Sequence, residues 1–199
     1  MTITQTPGGA DTRVFLDAGP AVTINGPSGT RTYLKSVNGA AISYFPDPGG
    51  FGFLDGGAYT VSGAGGPDVG SFRTGITYPK GFAWTNQGNQ MTVERASGMK
   101  VSWTGGNPAG LVQISGQTSV AASTTSTVSA RFDCWAKSSD GAFTIPPAVL
   151  LGMPATTPAS LGTLTVGSLD HVPFTAAGID RGMIYFGTAG LNLGTVTYR

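Results

Sequence analysis

Charged side chains are scarce in this chain: Lys, Arg, Asp and Glu make up 11% of its 199 residues, less than half the usual quarter. Lys and Arg number 11 and Asp and Glu 10, leaving a formal charge of +1. No basic stripe is present to neutralise a phosphate backbone, so nucleic acid is not expected as a partner. Low charge density also gives copies of the chain little mutual repulsion, which suits a subunit that assembles with itself.

The residues that carry most site chemistry are equally sparse. With one cysteine, Cys134, an intrachain disulfide is impossible. Flanked by Phe132 and Trp135, Cys134 reads as a small buried hydrophobe rather than a reactive or intermolecular thiol. A zinc site needs three or four Cys, His or carboxylate ligands, which one Cys, the lone His171 and scattered acids do not supply. Asp170-His171 lacks a Gly-x-Ser-x-Gly partner motif, and His171 reads as a surface residue. Glu94 is the only glutamate, so a glycosidase carboxylate pair is unsupported; beside Arg95 it reads as half of a surface pair. Asp47, Asp55 and Asp68 stand singly in Gly/Pro turns, where an Asx-turn is the plainer role than calcium ligation. No catalytic, cofactor-binding or metal-binding residue is assigned, and no cofactor is expected.

No apolar run approaches the roughly 18 residues of a membrane span; the longest, Pro146 to Met153, is interrupted by prolines and Gly152. The opening MTITQTPGGADT lacks the basic and apolar regions of a signal peptide. Either the protein is cytosolic or its export signal is not in this sequence; low charge with abundant Gly, Ser and Thr favours the second.

Glycine (32) and proline (13) are plentiful; both disfavour helix interiors, while Thr, Val and aromatic residues suit pleated strands. The pattern is one of short strands separated by turns. Residues 1–11 form an arm, either flexible or able to donate a strand to a neighbour, with Pro7-Gly8-Gly9 as its breaker. Alternating segments follow at 21–25, 30–37 and 40–45, with Asn38-Gly39 marking a hairpin. Phe15-Leu16-Asp17-Ala18-Gly19 and Phe53-Leu54-Asp55-Gly56-Gly57 repeat one corner design: an apolar pair entering an Asp-x-Gly turn. Residues 80–89, weak in strand signals, mark a boundary. Beyond it strands are expected at 91–95, 99–104, 111–115, 127–136, 142–145, 161–169, 172–176, 182–187 and 192–198. The small, polar stretch 117–126 reads as an exposed loop, and in Pro146-Pro147-Ala148-Val149-Leu150-Leu151 a proline at a first helical position followed by good helix formers suggests one short turn. About seven strands in each half match an immunoglobulin-like sandwich. The expected fold is therefore all-β, two tandem Ig-like β-sandwich domains, 12–84 and 85–199.

Several segments carry a family resemblance: Asp17-Ala18-Gly19 to Gly26-Pro27-x-Gly29-Thr30, Leu54-Asp55-x-Gly57-x-Tyr59-Thr60-Val61, Gly65-Gly66-x-Asp68-Val69-Gly70, Trp84-Thr85-Asn86, Trp103-Thr104-Gly105-Gly106, Phe143-Thr144-Ile145-Pro146-Pro147, Pro173-Phe174-Thr175-Ala176 and Thr195-Val196-Thr197-Tyr198. In order over roughly residues 13–199, the chain resembles uncharacterised secreted β-rich proteins of soil Acidobacteria. The resemblance implies an exported, non-catalytic protein and transfers no site residues.

Two partner classes follow. The first is a second copy of the chain, held through sheet edges in a structural or interaction protein of the cell exterior. The second is a surface glycan. Trp84, at the boundary, is the least committed of the three tryptophans to a core and is the candidate ligand-binding residue. Trp103 resembles the buried tryptophan of an Ig-like strand, and Trp135 reads as a core or sheet-face residue.

Overall fold

The computed structural model describes residues 14–46, 53–89, 92–124, 126–157, 160–188, 191–193 and 196–199. The protein is predominantly β, built from antiparallel sheets. It divides into two compact units. One comprises the described residues up to Lys80 together with His171–Phe186; the other comprises Gly81–Asp170 with Gly187–Arg199. This differs from the expected tandem split at 84/85: a segment from late in the chain belongs with the first half, a grouping that rests on long-range packing and leaves no local sequence signal.

The first unit contains β1 (Ala21–Gly26), β2 (Gly29–Asn38), β3 (Ala41–Pro46), β4 (Gly57–Gly63) and β5 (Phe72–Tyr78). They form one antiparallel sheet in the order β3-β2-β1-β4-β5. Period-2 alternation puts Val22, Ile24, Tyr59, Val61, Ile76 and Tyr78 into a core with Val172, Ile184 and Phe186, as one buried face requires. Tyr59 lies over Gly26, where even a methyl group would overlap its ring. The two Asp-x-Gly corners are pinned alike. Tyr44 Oη accepts the Ala18 N–H (2.9 Å) and donates to the Gly19 carbonyl (3.1 Å). Tyr59 Oη accepts the Asp55 N–H (3.0 Å) and donates to the Asp55 carbonyl (2.9 Å).

The second unit contains β6 (Ala83–Trp84), β7 (Thr92–Val93), β8 (Met99–Thr104), β9 (Leu111–Ala121), β10 (Thr127–Lys137), β11 (Ala142–Ile145) and α1 (Pro147–Leu150). β12 (Leu161–Phe174) follows, and its residues to Asp170 belong here. The rest of β12, His171–Phe174, falls in the first unit with β13 (Gly182–Phe186), the strand that pairs with β12. β14 (Leu191–Leu193) and β15 (Thr197–Tyr198) complete the second. Its sheets run β10-β9-β12, with β14 also on β12; β11-β8-β6; and a short parallel pair, β15-β7.

Val112, Ile114, Phe132, Leu164 and Val166 from the long sheet pack with Trp84, Val101, Trp103, Ile145 and Tyr198. Tyr198 is fully buried and donates to the Thr163 carbonyl (2.9 Å); burial pushes its phenol pKa well above the ordinary value. Gly116 lies under the Phe132 ring and the Tyr198 hydroxyl, which leave no room for a Cβ.

Two strands outrun their expected limits. Residues 117–121 continue β9, so the loop is confined to the hairpin tip beyond Ala121. β12 runs on through Asp170-His171 instead of breaking there.

Thr118 on the inner face of β9 is fully buried, and its Oγ1 has no hydrogen-bond partner among the described residues. An unsatisfied buried hydroxyl costs about 1–3 kcal/mol. Thr118→Val keeps the shape and removes the polar atom. Urea unfolding of this variant should show stability raised by about 1 kcal/mol; equal or lower stability would mean the hydroxyl is satisfied.

Candidate interaction surface

Strand β10 ends its sheet: β9 covers one side, and no described strand pairs with the other. Its register against β9 is unbroken over eleven residues, from Thr127↔Ala121 to Lys137↔Leu111. The flanking bonds, Ala122 N–H to Ser126 carbonyl and Ser138 N–H to Gly110 carbonyl, fix which pairs are hydrogen-bonded. Antiparallel pairs alternate, so Val128, Ala130, Phe132, Cys134 and Ala136 bond toward β9. The N–H and C=O groups of Thr127, Ser129, Arg131, Asp133, Trp135 and Lys137 therefore point to the uncovered side.

The same alternation sorts the side chains. Phe132 and Ala136 are buried, and Ala130 and Cys134 pack against the core. Arg131, Asp133 and Trp135 face out. Arg131 grips Asp133 with two bonds, Nε to Oδ2 (2.8 Å) and Nη2 to Oδ1 (2.9 Å), and Gln113 Nε2 from β9 donates to Oδ1 (2.9 Å). The guanidinium, more than the Gln113 amide, holds the Asp133 carboxyl below its usual range against an opposing desolvation cost. Trp135 is 44% exposed and Val128 47%.

Other edges are shorter or interrupted. β3 ends at Pro46, β5 spans seven residues and contains Gly75, β11 has four residues and β6 two. Prolines and short strands are ways in which proteins blunt edges. β10 has neither proline nor glycine in its eleven residues.

The residues singled out in the sequence do not converge. Trp84 corrects the expectation placed on it: paired across from Trp103, it is 4% exposed, so its ring offers no open face to a sugar. Its Nε1 donates to Asn86 Oδ1 (2.9 Å), and Asn86 in turn bonds the Lys100 carbonyl and the Ser102 N–H. Trp103 is buried, with Nε1 on the Ser138 carbonyl (2.9 Å). Trp135 is the exposed one.

Cys134 is half-buried, and burial, reinforced by Asp133, pushes its thiol pKa up, which suppresses the nucleophilic thiolate. His171 stacks near the exposed Tyr185 at 5.9 Å. Arg95 does not pair with Glu94; it binds the carbonyls of Arg199 (3.0 Å) and Met153 (2.8 Å). Asp55 caps the Gly56 N–H and Asp68 the Asp17 N–H, each at 2.8 Å; Asp47 lies outside the described residues. A cleft of about 580 Å³ in the first unit is bordered by Thr23, Ser62, Ser71 and Arg73, with Arg73 the one ionisable group among its described lining residues. Among the described residues no three potential metal ligands gather, and no helix is long and apolar enough to cross a membrane.

No family model, curated protein or solved structure matches the chain.

Because Trp84 fills core volume, Trp84→Ala should cost about 3–5 kcal/mol in urea unfolding. A loss below about 1 kcal/mol would mean that the ring is exposed in solution.

Proposed function

We propose that the protein is a non-enzymatic structural or interaction subunit of the cell exterior that associates with its own copies through a sheet edge. The observation that carries this reading is the unbroken edge of β10, which no described strand covers, since a long flat edge is a template for another strand. The low share of charged residues supports it too, because repulsion between copies is weak. The exterior address rests on the resemblance to secreted acidobacterial proteins. An Ig-like sandwich for each unit is part of the proposal. The Tyr59 hydroxyl bonded back to the Asp55 backbone supports it in the first unit, and the buried Trp103 supports it in the second, as both features recur in that architecture.

A surface glycan is the second reading. The half-exposed Trp135 shares its face with Gln113, Asp133 and Arg131, an aromatic plane beside hydrogen-bonding groups.

Sedimentation velocity over a hundredfold concentration range, with and without soluble polysaccharides, tests both readings. Association that grows with concentration in buffer alone supports the first. A monomer at every concentration contradicts it, and a shift only on adding polysaccharide transfers the case to the second.

A further inference from the structure

We infer that the edge of β10 left uncovered by the described strands pairs with β10 of a second copy, antiparallel about a two-fold axis at Phe132, so that Arg131 of each copy faces Asp133 of the other. This rests on the self-association reading above and names its partner, strand and register.

Hydrogen-bond parity narrows the registers first. Only the odd-numbered residues of β10 direct their backbone groups to the uncovered side, as the β9 ladder requires. An odd residue must therefore meet an odd residue of the second copy, which confines the two-fold axis to a residue position. Charge then decides among the neighbouring choices. Centred on Arg131, the pairing sets guanidinium against guanidinium; centred on Asp133, it sets carboxylate against carboxylate. Like charges directly opposite destabilise a sheet.

Centred on Phe132, two Arg131–Asp133 contacts form across the strands. The four groups alternate in sign with the existing Arg131–Asp133 pair of each chain. The same register pairs all eleven residues, Thr127 meeting Lys137 of the second copy and Ser129 meeting Trp135. A shift of two residues either way loses two pairs from the ladder. Charges that would otherwise guard the edge thus select one register, and the two-fold closes the assembly at a dimer along this edge.

Charge reversal and cysteine crosslinking test the inference together. Arg131→Asp and Asp133→Arg should each weaken dimerisation by about tenfold or more, and the double exchange should restore it. In the proposed register Ala130 faces Cys134 of the second copy in a non-hydrogen-bonded pair, where Cβ atoms are close enough for a disulfide. Ala130→Cys should therefore give a reducible covalent dimer with oxidised glutathione, whereas the unaltered chain and Val128→Cys should not.

Association insensitive to both charge reversals, failure of the double exchange to rescue, or crosslinking by Val128→Cys or by Cys134 alone would overturn this pairing while leaving self-association standing. Association abolished by deleting residues 1–13 but not by charge reversal would give the edge to that segment instead. A monomer throughout would remove both the pairing and the reading beneath it.

Discussion

Every extended segment must find partners for its backbone N–H and C=O groups, and in this chain that requirement shapes almost everything else. Few charged side chains and little helix leave strand pairing as the main way to satisfy the backbone. Pairing has to stop somewhere. In the first unit it stops at β3, whose last residue is Pro46, and at the short β5. In the β11-β8-β6 sheet it stops at strands of four and two residues. At β10 an eleven-residue strand runs to its end without a breaker, so a row of backbone groups faces a side where no described strand pairs.

A second constraint, close approach to glycine, explains how a chain so rich in glycine still forms ordered sheets. Gly26 and Gly116 weaken their strands by offering no side chain to pack. Each is covered by an aromatic ring, Tyr59 over Gly26 and Phe132 over Gly116, which restores the buried contact the glycine lacks. Tyrosine hydroxyls then fix what the rings have positioned. Tyr44 and Tyr59 bond the backbone of the two Asp-x-Gly corners, and Tyr198 bonds the Thr163 carbonyl. The inward side of β10 is tied into this arrangement through Phe132, which packs in the core and covers Gly116.

Much of this was legible in the sequence because it is local. Alternation at 21–25, 30–37 and 99–104 marks β1, β2 and β8. Asn38-Gly39 signals the first hairpin, although Asn38 itself pairs with Ala41 and the loop is Gly39-Ala40. The repeated Asp-x-Gly segments are two corners of one design. What escaped is non-local. Gln117 to Ala121 reads as a loop because its residues are small and polar; it is a strand because Thr127 to Arg131 pair along one side of it and Leu161 to Thr163 along the other. Trp84 looked uncommitted because its neighbours are turn residues, yet Trp103 across the ladder buries it. The candidate surface was legible only in part: the sequence displays Arg131, Asp133 and Trp135 with period-2 spacing, but not that their strand ends a sheet.

The central claim is that the outward backbone groups of β10 are a template that a second strand fills. Amide hydrogen exchange, read residue by residue at low and high protein concentration, tests it most directly. The N–H groups of Phe132 and Cys134, bonded toward β9, should exchange slowly at both. Those of Arg131, Asp133 and Trp135 should exchange quickly when dilute and slow by about tenfold or more when concentrated. Rapid exchange at Arg131, Asp133 and Trp135 at every concentration would contradict the account.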